Sequence, residues 1–328
     1  MNDRRMAWSD GRSTSSAFVR LFCFALFTCA AGAAHAQTVD IPRTPEGRPD
    51  FQGVWESRWR TPLERPKEAD GPIVAANKAD ALIAAIAANR AANTALHPDE
   101  DFDDGPLLPA AGGGFRTSLI IDPADGKRPL LPAMRDRAKE LRERENPAEG
   151  PEVLRLTARC LGGAGGTPLT IAPDQMYRQI VQTPSHVVIA TENMGDTRII
   201  DLSGRARSAA IMTWYGRSVG RWDGDTLVIE TVGLRPDPLN SSASPGQQTR
   251  SVVERVKFNT ADEIEYSYVI EDHAVLSAPM RVDFLFIRSA QRMFESACHE
   301  GNYGLANILR GAREIERRVG QSATPEGR

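Results

Sequence analysis

From about residue 168 to residue 297, apolar and polar side chains alternate with a period of two. This is the pattern of strands with one face buried and one in water. Runs at 176–182, 187–192, 197–202, 218–222, 226–232, 251–258, 264–270, 280–287 and 291–297 read as strands, with a shorter one at 51–55. Turn residues separate them at intervals of about 8–12 residues, the signature of an all-β barrel or sandwich. Asp223-Gly224 between two β-rich runs predicts a tight hairpin. No helical period intervenes between the strands, so a parallel sheet with crossover helices is not expected. The pattern therefore predicts a mainly β fold, an antiparallel barrel or sandwich of the lipocalin-like meander type.

The period differs on either side of this region. Residues 78–96 are alanine-rich and strongly helix-forming, and 132–145 carry Pro132 at the start and the Lys139–Glu143 pair one turn apart. Residues 303–319 place Leu305, Ile308, Leu309, Ala312 and Ile315 on one helical face, with Asn302 at the capping position. The expected organisation is a helical, Pro-rich N-terminal extension with the first strand (37–150), then an antiparallel β domain ending in a helix (151–328). Residues 99–104 form an acidic loop that lacks the spacing and closing glutamate of a calcium-binding loop. A solvated turn is the reading adopted for it.

Residues 1–36 read as an address. Arg4, Arg5, Arg12 and Arg20 make a basic start, 21–34 carry no charge, and Ala34 and Ala36 flank His35. This is a secretory signal peptide with cleavage expected between Ala36 and Gln37. The apolar run is shorter than the ~20 residues a spanning helix needs. An uncleaved anchor, a twin-arginine route through Arg4-Arg5 and lipidation at Cys29 are weaker readings of the same residues. A periplasmic or secreted protein with no membrane span after cleavage is expected.

Composition narrows the partners. Charged residues are 25% of the chain and the formal net charge is −3, so nothing electrostatic points to nucleic acid. Cysteine use agrees with export. Cys23 and Cys29 leave with the signal, and Cys160 and Cys298 remain in a compartment that permits disulfides. A bond between these two is expected, against the alternative of two unrelated buried thiols.

Few residues offer chemistry. The chain has no G-x-S-x-G elbow, no H-E-x-x-H and no P-loop, and the glycines at 162–166 lack a dinucleotide-binding frame. Neither a metal nor an organic cofactor is indicated. His97, His186, His273 and His299 survive processing. The densest cluster is Cys298-His299-Glu300-Gly301-Asn302-Tyr303, between the last strand and the last helix. His299 and Glu300 there can serve as an acid–base pair, with Tyr303 beside them. The architectural alternative has Gly301 turning the chain, Asn302 capping the helix and His299 bonding to backbone. A second cluster, Trp214, Tyr215, Arg217, Arg221 and Trp222, can bind an aromatic or anionic ligand, or can be an ordinary strand with packed Trp and extended Arg.

Several segments resemble a family of exported bacterial proteins with no assigned reaction. They are RTPEGRPDFQGVW (43–55), RPLLP (128–132), QIVQTPSHVVI (179–189), RIIDLSGR (198–205), WYGRSVGRWDGDTLVIET (214–231), VVERVKF (252–258) and ACHEGNYGLANILRGAR (297–313). The resemblance covers most of the mature chain and implies an exported, β-rich protein. It departs at about 272–292. There the family is aromatic and rich in Pro and Trp, and this chain reads DHAVLSAPMRVDFLFIRSAQR. If that segment lines a pocket, a different ligand is implied.

Two functions follow as expectations. One is an exported enzyme using acid–base lyase, isomerase or hydrolase chemistry on an aromatic or apolar small molecule. His299 and Glu300 would be catalytic, with Trp214, Tyr215, Arg217, Arg221 and Tyr303 holding the substrate. The other is a non-catalytic carrier of an apolar ligand. They differ in whether His299 sits in a concave pocket beside another polar group.

Overall fold

The structure, a computed structural model, describes residues 40–93, 105–154, 157–161, 166–171, 177–192, 195–205, 211–234 and 250–322. The segment 1–36 read as a signal, His97, the acidic residues 99–104 and the glycines at 162–165 lie outside them. All described residues belong to one unit.

The strands are β1 (Gly53–Glu56), β2 (Ile73–Val74), β3 (Phe115–Arg116), β4 (Ile120–Asp122), β5 (Tyr177–Gln182), β6 (His186–Thr191), β7 (Thr197–Asp201), β8 (Arg217–Asp223), β9 (Thr226–Val232), β10 (Ser251–Thr260), β11 (Glu263–Glu271) and β12 (Met280–Ser289). The helices are α1 (Ala79–Asn93), α2 (Pro132–Glu145) and α3 (Tyr303–Ser322).

Strands β5 to β12 pair in sequence order, and β1 joins the two ends of the series. Val54 lies opposite Gln179 of β5 on one side and Ser289 of β12 on the other. The result is a closed barrel of nine strands. Closure removes the free edges that an open sheet would expose. Gly53 makes the junction possible: its φ is +135°, and a β-carbon there would sit 2.7 Å from Arg288 Nη1. Trp55, fully buried, fixes the seam by donating its indole N–H to Phe51 O at 2.9 Å. The Arg288 guanidinium lies 4.3 Å from the centre of its ring.

Alternation decides what fills the barrel. Ile180, Ile189, Ile200, Ile229, Ile264 and Phe284 are all buried in one core. One end is closed by aromatics: Phe51 stacks on Phe258 at 4.8 Å and on Trp222 at 5.9 Å. The hairpin at Asp223-Gly224 forms as the sequence predicts, with Asp223 opposite Thr226 and Gly224 at φ +58°. Arg43 binds Asp225 on that turn with two hydrogen bonds, at 3.0 and 2.7 Å.

Outside the barrel, α1 packs Leu82, Ile83 and Ile86 near Leu107 and Phe115 beside the small β2–β3 sheet. The other face of the chain carries α3, whose Leu305, Leu309 and Ala312 pack on Ala148, Val153 and Leu154. The Cys160–Cys298 disulfide ties α3 to this platform, with the two Cα atoms 5.8 Å apart.

Three expectations need correction. Residues 291–297 are not a strand. Strand β12 is already paired with β11 on one side, and with β4 and then β1 on the other, so no edge is left for another strand. Second, the barrel is not wholly antiparallel. β7 and β8 run parallel, Ile200 facing Ser218 and Asp201 facing Val219, because the chain between them returns to the end where β7 began. Third, the extension 37–150 contributes more strands than 51–55: β4 joins the barrel sheet, and β2 and β3 pair with each other.

Candidate functional site

The two strand directions place the N-termini of β5, β7, β8, β10 and β12 at the same barrel end as the C-termini of β6, β9 and β11. This end is polar inside. The cause is visible in the phase of the side chains. Arg178 shares the inward face of β5 with Ile180, Arg198 that of β7 with Ile200, and Glu254 that of β10 with Val252 and Val256. Alternation therefore drives three charged side chains into the barrel. Arg178 and Arg198 are 1% and 3% exposed and Glu254 is 0% exposed, where each ion needs a partner.

Glu254 and Arg198 supply each other. Arg198 donates from Nη1 to Oε1 at 2.9 Å and from Nη2 to Oε2 at 2.6 Å, a two-pronged pair. Arg198 Nη2 also reaches Ser218 Oγ at 3.2 Å, and that hydroxyl shares a hydrogen bond with Thr231 Oγ1 at 2.8 Å. Tyr266 donates its phenol to Glu254 and accepts the Leu169 N–H at 2.9 Å. Burial and the neighbouring Glu254 push the phenols of Tyr266 and Tyr268 above their ordinary value. Burial opposes the charge on Arg198, but Glu254 outweighs it and the pKa rises. Both tyrosines keep their protons at neutral pH, and Tyr266 donates its own to Glu254.

Residues 166–171 lie across this end. Leu169 is buried, Thr170 O accepts from Arg178, and Thr167 Oγ1 donates to Tyr215 O at 2.7 Å. Nearby, Tyr215 donates its hydroxyl to buried Asp196, and burial together with that bond raises its pKa. Arg250 and Asp272 form a second buried ion pair, at 3.1 Å, at the ends of β10 and β11.

Three buried polar atoms here have no partner: Arg178 Nε, Arg198 Nε and Thr191 Oγ1. Buried donors left unpaired are uncommon and costly, at about 1–3 kcal/mol each. Thr191 stands directly opposite Arg178 in the β5–β6 register.

The residues singled out from the sequence are distributed differently. Cys160 and Cys298 are brought together. His299 and Glu300 lie on an exposed turn before α3, and Tyr303 is 76% exposed. Asn302 caps the helix by accepting the Leu305 N–H at 3.1 Å, and it donates to Ala158 O at 3.0 Å. The aromatic and cationic segment 214–222 is not one wall. Strand β8 runs the length of the barrel, so Trp214 lies before its polar end, 42% exposed, and Trp222 lies at the aromatic end. Arg221 points outward to Glu230 at 3.5 Å. Arg217, at the start of β8, donates to Ile211 O at 3.3 Å, and Tyr215 bonds to buried Asp196. Arg178, Arg198 and Glu254, which are not among the rare residue types that mark a site, carry a different signal in the sequence: each is a charge in phase with the apolar face of its strand.

Among the described residues no group of three His, Cys, Asp or Glu side chains is placed to hold a metal ion, and no helix is long and apolar enough to cross a membrane. A comparison with protein-family models finds none that matches the chain, and no curated protein matches it.

Proposed function

We propose that this is an exported small-molecule-handling protein that binds its ligand at the polar end of the barrel interior, as a carrier. The carrying observation is the set of buried, partnerless polar atoms on Arg178, Arg198 and Thr191, within one network at one end of the barrel. A ligand whose polar atoms reach them would give these buried groups the partners they lack within the protein. Aromatic side chains stand next to this network: Tyr266 packs on Phe284 at 5.0 Å and on Phe286 at 5.6 Å. An apolar or aromatic body with a polar end suits such surroundings. Strand β12, which supplies Phe284 and Phe286, falls in the segment where the chain departs from the family it resembles, which favours a ligand of its own.

Binding is preferred to catalysis because the acid–base pair read from the sequence, His299 and Glu300, lies on an exposed turn. Export is supported by the N-terminal pattern and by the Cys160–Cys298 bond.

A thermal-shift screen of a chemically diverse metabolite library on the mature protein tests the reading. At least one compound should raise the melting temperature with saturation, by the equivalent of about 2.7 kcal/mol at a hundred times its Kd. A screen in which no compound does so counts against ligand binding.

A further inference from the structure

We infer that the ligand carries a carboxylate, and that Arg178, assisted by the Thr191 hydroxyl, is its anchor. This rests on the carrier reading and names the ligand's chemical class.

The inference starts from charge. Three arginines are buried among the described residues. Arg198 has Glu254 and Arg250 has Asp272. Among the described residues no carboxylate pairs with Arg178. Its guanidinium donates to Ser57 Oγ at 3.0 Å and to Thr170 O, and lies 5.1 Å from the centre of the Phe286 ring. All three neighbours are neutral. Arg178 is therefore a buried cation whose described contacts are all neutral, unlike Arg198 and Arg250. Burial pushes the Arg178 guanidinium down to about 10, and only the Tyr266 phenol acts in the other direction.

The unused donors describe the missing anion. Arg178 Nε–H has no acceptor, and Thr191 Oγ1, across the β5–β6 ladder, has no partner. A guanidinium N–H beside a hydroxyl, on a cation with neutral neighbours, suits a monoanion with planar oxygens. A phosphate dianion would overcompensate the charge and demand more donors. Phe286 lies against the guanidinium with Tyr266 and Phe284 packed beside it, so the surroundings of the anchor are apolar and aromatic.

The test uses acetate, benzoate and octanoate, each beside its primary amide, with wild type, Arg178→Gln, Arg178→Lys and Thr191→Val. Affinity is read by calorimetry and by melting temperature. At least one carboxylate should bind wild type at least tenfold more tightly than its amide. Arg178→Gln should abolish that preference, Arg178→Lys should restore part of it, and Thr191→Val should weaken the carboxylate severalfold without affecting the fold. If Arg178→Gln does not fold, Arg178→Lys and Thr191→Val still decide the matter: carboxylate affinity unchanged in both overturns the anchor. Equal binding of acid and amide overturns the carboxylate assignment and leaves the carrier reading standing. No binding of any probe, together with a library screen without a hit, overturns both.

Discussion

The buried pair Arg198–Glu254 makes the most demanding statement about stability. Both side chains are at most 1% exposed, and Glu254 accepts two hydrogen bonds from Arg198 and one from Tyr266. Glu254→Gln preserves the shape but removes the charge, and one of its amide N–H groups must then face a donor. Arg198 is left as a buried cation without an anion. Breaking such a pair costs about 3–5 kcal/mol. That is a large part of the 5–15 kcal/mol by which domains are ordinarily stable. At roughly 2–4 °C per kcal/mol for chains approaching this size, the melting temperature should fall by about 10 °C. Urea unfolding followed by tryptophan fluorescence reads the change, since Trp55 is fully buried in the same core. The double variant Arg198→Met with Glu254→Met should recover most of the loss, because no unpaired ion remains. A Glu254→Gln variant within about 1 kcal/mol of wild type would refute the idea that this end of the barrel is dry.

Other outcomes follow from the same structure. Reduction of Cys160–Cys298, or Cys298→Ser, should cost about 2–5 kcal/mol, and no thiol should react with iodoacetamide before reduction; two thiols alkylated in the native protein would contradict the bond. Tyr215, Tyr266 and Tyr268 keep their protons in the folded state above the pH where an unfolded phenol loses its own, near 10. The folded state then binds more protons, so stability falls as pH rises beyond about 10, and ultraviolet titration should show phenolate from these three only as the barrel opens. His299→Ala, on an exposed turn, should change stability by no more than about 0.5 kcal/mol and leave ligand binding intact. Loss of turnover or binding in a folded His299→Ala protein would restore the catalytic reading. N-terminal sequencing of the exported protein should begin at Gln37, and a full-length cytoplasmic product would contradict export.

Much of the barrel is legible in the chain because burial on one face of a strand imposes a period of two. The positions of β5, β6, β9, β10 and β11 are readable from that alone, and Gly224 marks the tight hairpin. What pairs with what is less legible. Nothing local in 291–297 says that β12 already has partners on both edges, and nothing in β7 or β8 says that they run parallel. The candidate site was missed for a related reason. Attention to rare and reactive residues favours His299 and the Trp214–Trp222 cluster. Arg178, Arg198 and Glu254 look like ordinary surface charges until their phase is compared with Ile180, Ile200 and Val252. The disulfide is readable from the cysteine count, since only Cys160 and Cys298 lie outside the segment read as a signal.

The polar end of the barrel is proposed to hold a small molecule rather than to brace the fold. Native mass spectrometry of the protein purified from its own exported compartment tests it most directly, with the same measurement on Arg178→Gln. A small molecule should accompany the wild-type protein, be released on unfolding, prove to contain a carboxylate, and be absent from a folded Arg178→Gln variant. A wild-type protein that carries and takes up no small molecule, together with an Arg178→Gln variant that loses several kcal/mol of stability, would make the network a structural brace and contradict the claim.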